Sequence, residues 1–325
     1  MKANERLVRF FQLRVGATVR GAKGAANHVK ARDLESILTD FKSQLAKGAQ
    51  IQTSSVGDIL QWKLADIEID IKRGKAVMLV NRSDIDAADL AIENRSSGGL
   101  RVAKKDSVEA HAYSAHIAFN LKRGNDGSYP ALIEQAGVSS QRIGSLMYRA
   151  VRASQAAGLS TFLYPHPDNS VDTDGKKKSL KGQYKFEMTG HPSDDFLAEI
   201  DKGQLSDIEL ISHGKAGSSW DTFNLTSERS RVIRLKPSQG KVKNMSIIAS
   251  VLDKAKANRQ EELKVKFTDQ DGDGRTLTWD VDSKQLINED RFVQKEYLRN
   301  FPDRLNTAYR KVHPEIRDKM YYLLK

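Results

Sequence analysis

Asp66, Glu68, Asp70 and Lys72 stand at alternate positions in the stretch LADIEIDIK. On a β-strand, residues i and i+2 share a face, so three carboxylates and an amine would line one surface. Carboxylates clustered beside a lysine are what a metal-dependent nuclease uses to hold Mg²⁺. These four residues are therefore the candidate catalytic set. Polar alternation on a solvated sheet face produces the same pattern, and no second acidic cluster pairs with this one. No G-x-S-x-G elbow is present either, so the expectation is a protein that is not an enzyme.

Metal and nucleotide chemistry find little else to use. The chain has no Cys, which excludes disulfides, thiolate zinc sites and cysteine nucleophiles. DQDGDGRTLTWD, residues 269–280, matches an EF-hand loop at Asp269, Asp271, Asp273, Gly274 and Asp280. Its flanks, LKVKFT and RTLTWDV, alternate like strands, which predicts a hairpin turn. His111 and His116 have odd spacing on one predicted strand and point to opposite faces. GATVRG, residues 16–21, has the glycine spacing of a P-loop. Ala22, Lys23 and Gly24 then replace the lysine–hydroxyl pair that such a loop needs. No metal and no cofactor is expected.

Recognition of nucleic acid has more support. ALIEQAGVSSQRIGSLMYRAV, residues 131–151, reads as two helices with a turn at Gly137 and a cap at Ser139. Within it, LIEQAGVSSQRIGSLM resembles the helix-turn-helix of bacterial and phage repressors, over about 20 residues of the chain. The resemblance implies that Gln141 and Arg142 stand where base edges are read. Arg149 and Arg152 would then meet phosphates. The alternative is a helical hairpin packed on a sheet, because the segment upstream reads as a strand and turn rather than a third helix.

The formal net charge is +11, and the positive charge is clustered. Residues 1–32 hold eight Lys or Arg against one acid, Glu5. Arg14, Arg20, Lys23, Lys30 and Arg32 belong to this basic, Gly-rich segment. Lys176, Lys177, Lys178 and Lys181 form a second patch. Such surfaces attract polyanions through phosphate contacts. Together with the 139–159 helix they make nucleic acid the expected partner. Tyr148, Tyr184, Phe186 and Trp220 lie near basic residues and are candidates for stacking on unpaired bases.

Elements must position these groups. A strand is predicted at 6–15, and a helix from Leu34 to Leu45 with Asp33 and Glu35 at its start. A hairpin over 60–82 turns at KRGK. Further strands are predicted at 100–104 and 110–122, then the helical pair over 130–157. PHPDNSVDTDGKKKSLKG, residues 165–182, reads as loop. The second half gives strands near 182–189, 207–212 and 230–236, helices at 193–201 and SIIASVLDKAK, and a final helix from Asp303 to Leu324. Short connections between adjacent strands favour antiparallel pairing and an α+β fold. The expected division is an N-terminal domain over 1–160, a linker over 161–182 and a C-terminal domain over 183–325. Without a signal peptide or an 18-residue apolar run, a cytoplasmic protein that meets no membrane is expected.

The sequence thus predicts a nucleic-acid-binding accessory protein of a bacterium or phage, with a defence locus as one setting. Two alternatives stand beside it. One is an assembly subunit, homo-oligomeric or bound to an acidic protein. The other is a divergent nuclease.

Overall fold

The computed structural model describes residues 4–20, 26–166, 171, 173–175, 177–191, 193–213, 222, 225–226, 230–238, 242–269, 272–281, 284–286 and 293–324. The fold is α+β, with antiparallel sheets packed against helices. The chain divides into two compact units. Unit 1 comprises Met1–Val8, Leu13–Met188 and Glu296–Lys325; unit 2 comprises Arg9–Gln12 and Thr189–Lys295.

Along the chain the elements begin with strand β1 (Arg6–Arg20), β2 (Ala26–Val29), helix α1 (Leu34–Ala46) and β3 (Gln52–Ser54). Next come β4 (Leu60–Asp70), β5 (Lys75–Asp84), β6 (Leu90–Glu93), β7 (Leu100–Ala103), β8 (His111–Asn120) and β9 (Tyr129–Glu134). Helix α2 (Ser140–Ala156), β10 (Leu163–Pro165), β11 (Ser179–Lys181) and β12 (Gln183–Gly190) follow. Unit 2 then holds α3 (Asp194–Lys202), β13 (Gln204–His213), β14 (Ser230–Leu235), α4 (Asn244–Ala257), β15 (Glu262–Thr268), β16 (Gly274–Asp280) and β17 (Gln285–Leu286). The chain returns to unit 1 with β18 (Lys295–Leu298) and α5 (Pro314–Leu323).

In unit 1 the strands run in the order β12-β1-β9-β8-β5-β4-β3. The predicted 60–82 hairpin forms, and Gly74 turns it at φ 62°. A bulge between Leu64 and Asp66 shifts the register. One extra residue moves the following side chains to the other face. Leu64 pairs with Val80 and Ile67 with Met78, so both stay on one face; Asp66 pairs with Leu79 and faces the opposite way. The bulge explains why apolar residues fall at even positions before it and odd positions after it.

The two faces have different covers. Helices α1 and α2 pack on each other, and both pack on β4. Their buried Leu38, Phe41, Ile143 and Leu146 belong to the same core as Leu64 and Ile67. The opposite face receives α5, which packs on β8. Strands β5 and β8 are therefore covered on both faces, and residues 76–80 and 114–119 are all buried.

Unit 2 has the strand order β14-β13-β15-β16-β17, with α3 and α4 packed together. Its core includes Phe196, Ile200, Ile248, Leu263, Phe267 and Trp279. The 262–280 hairpin forms as predicted. Asp269 holds its turn, accepting from the Asp273 N–H at 2.9 Å and pairing with Arg275 at 2.6 Å. Asp271 lies outside the described residues.

Several expectations are corrected. Residues 129–134 form a strand, not the first helix of a pair: Ala131, Leu132 and Ile133 pair with Phe119, Ala118 and Ile117. Their apolar run is buried in the sheet, which overrides any helical reading. The first strand does not end at Val15 but continues through Gly16 to Arg20 and pairs with β2, so a hairpin replaces the strand–loop–helix of a P-loop. The segment expected as a linker carries the β10–β11 pair, with Phe162 and Tyr164 buried. The C-terminal helix begins only at Pro314; before it the Tyr309, Val312 and His313 N–H groups donate to the side chains of Ser114, Asp66 and His116 on the sheet.

Candidate nucleic-acid interface

Helix α2 starts where Ser139 accepts from the Arg142 N–H at 3.3 Å, the expected cap. Gly137 turns the chain ahead of it at φ 74°. Ile143, Leu146, Met147, Ala150 and Val151 are buried. Gln141, Tyr148, Arg149 and Arg152 are exposed, and their spacing of one and two helical turns puts them on one face. Tyr148 is 43% exposed. No Asp or Glu occurs from residue 135 to residue 167. The exposed face therefore has arginines, an amide and a phenol, with no acid of its own helix to neutralise them.

The helix lies unusually close to β12. A Cβ on Gly144 would stand 2.8 Å from the Phe186 carbonyl oxygen. Glycine here is a packing requirement, and it fixes which face of α2 turns outward.

Arg142 does not join that face. Its guanidinium carbon lies 4.3 Å from the centre of the Trp62 ring, and the residue is half-buried. Trp62 itself is buried. This is a cation–π contact between α2 and β4, not a side chain held out to a base. With β9 a strand and Arg142 engaged in this way, the helix-turn-helix is not formed.

The remaining basic candidates divide into two groups. Lys30, Arg32, Lys178 and Lys181 surround an aromatic cluster in unit 1. Tyr164 donates to the Lys30 carbonyl at 3.1 Å, and its hydroxyl meets that of Tyr184 at 2.6 Å. The Arg32 N–H donates to the Tyr184 hydroxyl at 3.3 Å, and Arg32 Nε donates to the Thr161 carbonyl at 3.1 Å. Burial pushes the Tyr184 phenol well above its ordinary range, and the Tyr164 hydroxyl adds to this. Gln155, near the end of α2, donates to the Gly182 carbonyl at 2.7 Å, next to Lys181. Lys178 accepts from the His166 N–H at 2.9 Å through its carbonyl. Lys30, Lys177, Lys178 and Lys181 are exposed, and Lys177 forms a bridge with Val171.

The second group is not shown to join them. Arg14 is half-buried in β1, where its charge acts on Asp126. Arg20 ends β1 at its pairing with Ala26. Lys23, Lys176 and Trp220 lie outside the described residues. Tyr184 is buried and Phe186 half-buried, each packed against the other, so they serve the core.

The acidic set is engaged elsewhere. Asp66 accepts from the Val312 N–H at 3.0 Å and from Lys311 at 3.3 Å. Glu68 pairs with Arg317 at 2.6 Å. Asp70 accepts from the Arg73 N–H at 3.0 Å, and Lys72 is exposed in the turn. The carboxylates do share one face, as the spacing predicted. The C-terminal segment covers that face with cations and N–H groups. Among the described residues no group of three His, Asp or Glu is arranged to hold a metal.

The same face carries a network that sequence reasoning missed. Glu134 pairs with Arg6 at 2.9 Å and with His116 at 2.6 Å, and all three are buried. His116 Nε2 accepts from the His313 N–H at 3.0 Å. Ser114 donates to Asn81 at 2.6 Å and accepts from the Tyr309 N–H at 2.7 Å. The only early signal was Glu134 itself, a lone acid inside the apolar run ALIEQA. Its burial closes it to any substrate and makes it an anchor for residues 306–313.

No known protein family matches the chain, and no curated protein is significantly similar to it. Among the described residues no helix is long and apolar enough to cross a membrane.

Proposed function

We propose that this protein binds nucleic acid through the exposed face of α2, by phosphate contacts without sequence readout. The observation that carries the reading is the outward face of α2, which exposes Tyr148, Arg149 and Arg152 with no acid on the helix. Arginine forks suit phosphate oxygens. Lys30, Arg32, Lys178 and Lys181 extend the positive surface near the end of the helix, and the net charge of +11 supports attraction of a polyanion.

The test is fluorescence anisotropy with labelled duplex DNA, single-stranded DNA and RNA over a salt series. Binding should fall log-linearly with salt and weaken in Arg149→Ala/Arg152→Ala. Absence of binding at low salt, or an unchanged affinity in that double variant, would overturn the reading.

A further inference from the structure

Strand β14 is the last in the strand order of unit 2. Among the described residues it pairs with β13 and with no other strand. The outer edge of such a strand presents unpaired N–H and C=O groups, a template for one more strand. Residues 230–234 are all exposed, and Val232 and Ile233 are 47% and 41% exposed.

The register assigns the faces. Ile233 pairs with Leu210 and Leu235 with Ile208, so both lie on the face that holds the core. Val232 and Arg234 lie on the other face, where Arg234 pairs with Glu209. Helix α4 packs on β13 and leaves Ile233 partly uncovered. A groove of about 490 Å³ remains there, lined by Leu235, Val242, Ile247 and Val251 with the exposed Ser246 and Ser250. That volume is in the range of pockets that hold ligands. In a strand added to β14, every second side chain would point towards this groove, and those between would pass Arg234.

Charge identifies the occupant. Residues 230–252 contain Arg231, Arg234, Lys236, Lys241 and Lys243 and no Asp or Glu. Lys236 lines the groove. Arg234 meets Glu209 at 3.4 Å, yet its side chain stays 75% exposed. Charges on an edge can serve only to prevent aggregation, but a guard of that kind needs no apolar groove beside it. A second copy of β14 would bring the same cations together along one seam. A nucleic acid would meet the cations and leave the strand edge unpaired. An extended acidic segment of another protein satisfies the edge, the groove and the charge together.

We propose that the free edge of β14 and the adjoining α4 groove take an extended segment of another protein, apolar at alternate positions and acidic between them. The proposal stands apart from the α2 reading and does not need it.

Fluorescence anisotropy of the full chain tests it, with a labelled peptide of alternating valine and glutamate as the probe. The wild type should bind it. A peptide of the same composition with its valines and glutamates in separate blocks should bind about tenfold or more weakly. Ser250→Trp fills the groove from an exposed position and should weaken binding to a similar degree. Arg234→Glu/Lys236→Glu should do the same, and should bind a valine–lysine peptide instead. Hydrogen exchange should show the β14 amides protected when the valine–glutamate peptide is bound. Neither variant touches α2, so nucleic-acid binding through that helix should be unchanged in both. A wild type that does not bind the probe overturns the proposal, as does equal binding of the block peptide or an unchanged affinity in both variants. Displacement of the peptide by duplex DNA, with DNA binding lost in the charge-reversed variant, would overturn it in favour of a nucleic-acid contact. A dimer in sedimentation velocity that the same variant abolishes would overturn it in favour of self-pairing.

Discussion

Glu134 holds His116 at two points: its Oε2 accepts from the backbone N–H at 3.0 Å and lies 2.6 Å from ring Nδ1. Because His116 Nε2 accepts from the His313 N–H, the ring proton belongs on Nδ1 and is donated to Glu134. The other Glu134 oxygen faces Arg6 Nε at 2.9 Å. One carboxylate thereby fixes the tautomer that receives the C-terminal segment. Removing it breaks a buried ion pair with Arg6, which costs about 3–5 kcal/mol. Glu134→Ala should lose that much stability in urea unfolding. Glu134→Gln, which keeps an acceptor, should lose less. Equal losses would show that the charge plays no part.

The same segment makes stability depend on pH. Burial pulls the His313 imidazole below its ordinary value of 6.5, and nearby His116 acts in the same direction. The Arg6 charge also lowers it, while Glu315 and Glu134 raise it. A lowered histidine pKa means that the unfolded chain takes up the proton first. The contribution is present above 6.5 and is lost as pH falls through the folded value. Asp318 is held low chiefly by Arg317, so its own contribution is lost at more acidic pH. Melting temperature should drop between about pH 7 and 5, and more steeply than in His313→Gln. Parallel curves for the two proteins would refute this.

Gly144 should not tolerate a methyl group. An alanine Cβ 2.8 Å from the Phe186 carbonyl oxygen meets backbone, which cannot turn aside as a flexible side chain would. Overpacking of this kind costs about 1–3 kcal/mol. Gly144→Ala should therefore destabilise the protein, although alanine is the better helix former. A gain in thermal stability would mean that α2 can move off β12.

Arg142 offers a direct contrast with the repressor-like reading. Its stack on Trp62 is worth about 1 kcal/mol, so Arg142→Ala should lower the unfolding midpoint slightly. Any preference among DNA sequences should stay the same. A relaxed preference in selection from a randomised duplex pool would restore a base-reading role.

These residues show how far the sequence could be read. Alternation in LADIEIDIK revealed the strand and the shared carboxylate face, because a period of two is a local property. It did not reveal what covers that face: Val312 and Arg317 are far along the chain, and only the folded chain brings them to Asp66 and Glu68. The α2 stripe from Ile143 to Val151 was legible for the same local reason. Its neighbour ALIEQA was misread as helix because a short buried apolar run has no period that distinguishes helix from strand. The pairing of β9 with β8 decided the matter. Strand β6 was too short, and too exposed on both sides, to show a buried face in the sequence at all.

The salt dependence of binding provides a quantitative test of the α2 surface. Each arginine that neutralises a phosphate releases condensed counter-ions, and the slope of log affinity against log salt changes by about 0.9 per contact on duplex DNA and about 0.7 on single strands. Arg149 and Arg152 are adjacent on one exposed face and need not move apart to engage one backbone. Arg149→Ala/Arg152→Ala should therefore make the slope shallower by about 1.4–1.8, with a matching loss of affinity at low salt. Lys177→Ala, further along the chain on its bridge to Val171, measures what a general loss of one positive charge does. If it flattens the slope as much as the helix pair does, binding follows net charge alone and α2 has no special place in it.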